Sequence, residues 1–115
     1  MRNFPTSFRF ENDEMQRELW AAVEPLGLGV TREPDGTLRF KPEDWGAINT
    51  EAHKLRWKRF GDWYFMNLTP ESMFTRMIER LRAHSLPYVL EFHGPRQVLM
   101  LPKSDEHRHH DIMIE

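Results

Sequence analysis

The chain has 115 residues, no cysteine, 39% hydrophobic and 30% charged residues, and a formal charge of −2. That length supports one domain with a core of its own, and the lack of cysteine excludes disulfides, thiolate nucleophiles and cysteine-ligated zinc or iron–sulfur centres. A slightly acidic balance argues against a dedicated nucleic-acid module, which is usually basic overall, and no apolar run approaches the ~20 residues of a spanning helix.

The first stretch, MRNFPTSFRFENDEMQ, carries no apolar signal-peptide core, so the expected compartment is the cytoplasm and no membrane partner is expected. Phe8 and Phe10 alternate with Arg9, a short strand signal. Asn12 is placed to cap a helix, with Asp13 and Glu14 in the first turn where the helix dipole favours acids. Met15, Leu19, Trp20, Val23 and Leu26 follow at helical spacing, and Pro25 stops the pattern, which predicts a helix over 13–24. Pro34-Asp35-Gly36 then separates two strand-like runs, near 28–33 and 37–41, with Leu28, Val30, Leu38 and Phe40 on the apolar side. Trp45, Ile48 and Ala52 are helix-spaced within PEDWGAINTEA, which reads as a short helix or turn.

The stretch HKLRWKRFGDWYFMNL, from His53 to Leu68, holds four basic residues and five aromatics. His53, Leu55 and Trp57 alternate with Lys54, Arg56 and Lys58, and Gly61-Asp62 suits a two-residue hairpin loop, so period two predicts strands near 53–60 and 63–68. Thr69-Pro70-Glu71 starts a helix whose stripe is Met73, Phe74, Met77, Ile78 and Leu81. YVLEFH and QVLML flank Gly94-Pro95-Arg96 as a last hairpin. The unbroken apolar run of Val98–Leu101 marks a strand covered on both faces, and it also allows a homodimer in which sheets pack together.

Strand 7–10, helix 13–24 and hairpin 28–41 make one β-α-β-β unit; strand 63–68, helix 70–84 and hairpin 87–102 make a second. Residue identity between them is poor, so the repeat is one of pattern. The expected fold is α+β: two β-α-β-β units forming a mostly antiparallel sheet, with two main helices on one face. Residues 1–103 form the domain and 104–115 a polar, His-rich tail. At the level of fold this layout is similar to the small-molecule effector-binding domains of bacterial regulators, a resemblance that says little about function.

In the expected hairpin, Leu55, Trp57, Met66 and Leu68 turn to the core, and Arg56, Lys58, Phe60, Trp63 and Phe65 form a basic–aromatic face. Tryptophan and arginine are favoured interface anchors, so a protein partner is the preferred reading. The same face would let rings stack on bases and cations neutralise phosphates, which makes nucleic acid the alternative. The bland account is that lysine and arginine stems cover the rings, or that residues 42–52 lie over them. The expected role is a small non-enzymatic binding or regulatory protein, of the inhibitor or immunity kind. An effector-binding or catalytic pocket between the two halves is a further alternative.

His107, His109, His110 and Asp111 are metal-ligand types, but neighbouring histidines lack the separated pairs that fix a tetrahedral site, so no metal or cofactor is expected. Glu51 with His53, and Glu91 with His93, are acid–base pairs without a third catalytic residue that spacing can place. His84 reads as a histidine at the edge of the core.

Overall fold

The computed structural model describes residues 4–66 and 71–114. It is α+β, as expected, with one antiparallel sheet in the order β2-β3-β1-β5-β6-β4 and four helices. The strands are β1 (Ser7–Phe10), β2 (Thr31–Arg32), β3 (Leu38–Arg39), β4 (Trp63–Met66), β5 (Val89–His93) and β6 (Arg96–Pro102). The helices are α1 (Asp13–Val23), α2 (Trp45–Phe60), α3 (Glu71–Ala83) and α4 (Glu106–Met113). Among the described residues no helix is long and apolar enough to cross a membrane.

Each β-α-β-β unit has the same lateral order, hairpin strands first and leading strand last: β2-β3-β1, then β5-β6-β4. β1 meets β5 antiparallel, so the second unit runs opposite to the first. Keeping the order while reversing direction turns the second unit over, and the helices come to lie on opposite faces. Side-chain alternation records this. Val98 and Met100 join the core beneath α1 and α2, while Leu99 and Leu101 join the core beneath α3 and α4. The single helical layer expected from the repeat is therefore corrected to two, one on each side. The covered character of β6 comes from the chain's own helices and does not call for a second sheet.

The local signals of the first unit behave as their chemistry dictates. Asn12 Oδ1 accepts from the Met15 N–H at 2.9 Å and caps α1. Asp35 Oδ1 accepts from the Thr37 N–H, and this bond holds the carboxyl below its usual range. Gly36 takes the turn's positive φ of 93°. β3 pairs only with Ser7 and Phe8 of β1, so the next rung would join Phe10 to Gly36. The buried amide of Gln16 fills that rung: its Oε1 accepts from Phe10 N–H at 2.8 Å and its Nε2 donates to Gly36 O at 2.6 Å. Gln16→Leu leaves the Phe10 N–H buried without an acceptor. The expected loss is about 1–3 kcal/mol in urea denaturation, and a change within error would show that the rung is filled another way.

The tail assignment is also corrected. Residues 106–113 form α4, with His109 and Ile112 buried, and Ile112 sits in the core with α3. Those residues are a packed helix and not a solvated tail.

Candidate functional site

The stretch expected to be the first hairpin strand is the second half of α2. Ile48, Ala52 and Arg56 recur every four residues and are buried, with Trp45 and Leu55 beside them. The stripe looks interrupted in sequence because one member is a cation. Arg56 is only 1% exposed. Its Nε donates to Glu91 Oε2 at 2.5 Å and its Nη2 to Glu91 Oε1 at 2.6 Å. Asn49 Oδ1 accepts from both guanidinium Nη atoms at 3.3 Å, and the Trp63 ring lies 5.2 Å from the guanidinium carbon. Glu91, fully buried on β5, completes the pair. Lys58 and Arg59 lie in the last turn, where cations suit the helix dipole, and Gly61 at φ 69° lets the chain leave the helix toward β4.

The basic–aromatic face therefore does not assemble as a hairpin. Arg56 faces the core, Lys58 is exposed on α2, and Phe60 and Trp63 are half-buried against the first core. Phe65, on β4, is 54% exposed. Trp57, expected in the core, is 56% exposed. Met66 does pack inward as expected, and Tyr64 with it, on the α3–α4 side; Leu68 lies outside the described residues. One turn before Trp57, the His53 ring packs edge-on to Trp63 with centroids 5.5 Å apart. His53, Trp63 and Phe65 thus lie along the outer margin of the α1–α2 side, beside Trp57.

That margin is the end of the sheet. Among the described residues, β4 pairs only with β6. Lys103 N–H donates to Asp62 O, which makes Asp62–Lys103 a hydrogen-bonded rung, and Tyr64–Leu101 and Met66–Leu99 follow at alternate positions. The backbone groups of Trp63 and Phe65 consequently point away from β6. Asp62 Oδ1 accepts from Trp63 N–H at 3.0 Å. Phe65 N–H and C=O have no bond to another described residue.

No family model, curated protein or solved structure matches this chain.

Two other clusters carry titratable groups. Glu91 Oε1 also lies 2.7 Å from His93 Nε2, within hydrogen-bond distance. The His93 ring packs against Phe8 and Trp45. This pair, met in sequence as an acid–base candidate, is built into the junction of the two units, where Phe10 and Val89 are also core. The other candidate pair separates, because Glu51 and His53 stand two apart on a helix and Glu51 binds Lys54. His84 is exposed just past α3.

The second cluster joins β4 to α4. Tyr64 OH and His109 Nδ1 are 2.7 Å apart. Burial lowers the His109 pKa, opposed by Asp105 and Glu106 and reinforced by Arg108 and His107; burial raises that of Tyr64, with Glu106 and Asp105 adding to it. One hydrogen bond therefore joins the phenol to Nδ1 of an imidazole that burial disfavours charging, and the buried Nε2 has no partner among the described residues. Among those residues no three His, Asp or Glu side chains converge as metal ligands would. The folded state resists charging His109, whereas the unfolded chain protonates it near the ordinary value of about 6.5. Stability from this group is present above that pH and is lost as pH falls toward the folded pKa. His109→Gln is expected to flatten the acid side of the stability–pH curve below neutrality; parallel curves for the two proteins would refute the assignment.

Proposed function

We propose that the protein is a binding module that acts on a protein partner through the free edge of β4 and the aromatic side chains beside it. One observation carries the reading. The strand that ends the described sheet, Trp63–Met66, has no charged residue, and its Phe65 is exposed and has no backbone bond to another described residue. Edge strands usually carry a lysine, a proline or a bulge against pairing with other chains. Exposed aromatics next to an unpaired edge fit strand addition, in which main-chain bonds supply affinity and alternate side chains supply selectivity. Protein is favoured over nucleic acid because Arg56, one of the two cations expected to meet phosphates, is committed to Glu91. In titrations against a purified partner, Phe65→Ser is expected to weaken binding at least tenfold, as anchor residues do. Arg17→Ser, at an exposed position of α1, is expected to leave it unchanged. Equal affinity for Phe65→Ser and the parent chain would overturn the reading.

A further inference from the structure

We propose that the partner at this edge is a second copy of the chain, paired antiparallel through β4 about a two-fold axis at Phe65; the proposal rests on the binding reading above. The axis position follows from which groups are available. Asp62 occupies the Trp63 N–H, so Phe65 supplies the donor and acceptor that lack a described partner. Residues directly opposite at a hydrogen-bonded position exchange both bonds. Placing Phe65 opposite its own image therefore satisfies N–H and C=O in both copies and leaves the Asp62 bond intact. Tyr64 then faces Met66 of the second copy on the α3–α4 side, and the two Phe65 rings meet on the side of Trp63.

Charge favours a second copy over a charged partner strand. At a two-fold axis every residue faces its own image or that of a near neighbour, so any charge there meets a like charge. Tyr64, Phe65 and Met66 are uncharged, and self-pairing sets no like charges against each other. The opposite edge, β2, has two residues, one of them Arg32, and lacks this property. One four-residue strand from each copy makes a small contact, at the weak end of specific interfaces. The dimer is expected to be concentration-dependent.

Sedimentation from low to high micromolar concentration tests this, with amide hydrogen exchange of Phe65 followed in the same samples. The expected result is a mass rising from 13.9 kDa toward twice that value, with Phe65 exchange slowing in step. Phe65→Lys, a change at an exposed position, is expected to keep the fold and stay monomeric; Phe65→Ser provides a milder version of the same break. A parent chain that stays monomeric throughout, with fast Phe65 exchange, overturns the second copy and leaves a different protein at the edge. A dimer that survives Phe65→Lys overturns the location. Binding of another protein that ignores Phe65 is the separate failure of the binding reading itself.

Discussion

Arg56→Met is expected to cost about 3–5 kcal/mol, because removing one partner of a buried ion pair strands the other charge. Domains of this kind have about 5–15 kcal/mol in all, so the variant should be largely unfolded at modest urea concentrations. Glu91 has no route to water, being fully buried. The double variant Arg56→Met/Glu91→Leu separates the value of the pair from the penalty of breaking it. Well-packed apolar replacement of a buried pair is often neutral or stabilising. Here Asn49 and His93 also lose their bonds to the pair, so the double variant should recover at least half of the loss without returning fully to the parent. The check is a double-mutant cycle in urea. Additive losses in the cycle would mean that the two residues do not act as a pair.

Leu99→Ala is expected to cost about 2–5 kcal/mol, the range for a large-to-small change in a filled core. Leu99 is fully buried on β6, between Leu90 and Met66 in the register, on the side covered by α3 and α4. If helices covered only one face of the sheet, this side chain would lie on a wet surface and its loss would be nearly silent. Ile114→Ala, at an exposed position past α4, should change stability by about 0.5 kcal/mol or less. Similar effects for the two substitutions would argue against the second helical layer.

Much of the fold was legible because its signals are local. Asn12 caps α1, Pro34-Asp35-Gly36 turns between β2 and β3, and β6 is apolar on both sides. The error at 53–60 has one physical source. Arginine is read as a solvent residue, so burying Arg56 breaks the apparent helical stripe of α2 and lets Leu55 and Trp57 imitate a strand. The partner that makes burial tolerable, Glu91, lies 35 residues away, beyond local patterning. One available signal pointed the other way: Lys58 and Arg59 ahead of Gly61 is a helix ending. The arrangement of the helices was illegible for a different reason. Whether a repeated unit turns over depends on the direction in which β1 meets β5, and neither strand encodes that alone. Of the five residues expected at the contact surface, Phe65 remains on an open edge, and its significance rests on strand register.

The turned-over second unit also bears on how the chain emerges during synthesis. β1 leaves the ribosome before the other strands, and its neighbour β5 follows some eighty residues later, with Phe8 paired to His93. The α1–α2 core takes Val89, Val98 and Met100 from that late segment, so the first half has no complete floor until the second has been made. Closing so long a loop before contacts compensate for it slows folding. The nascent N-terminal half must therefore wait with Phe8, Phe10 and Leu19 uncovered, and a chain truncated before β5 should be a substrate for chaperones or proteases.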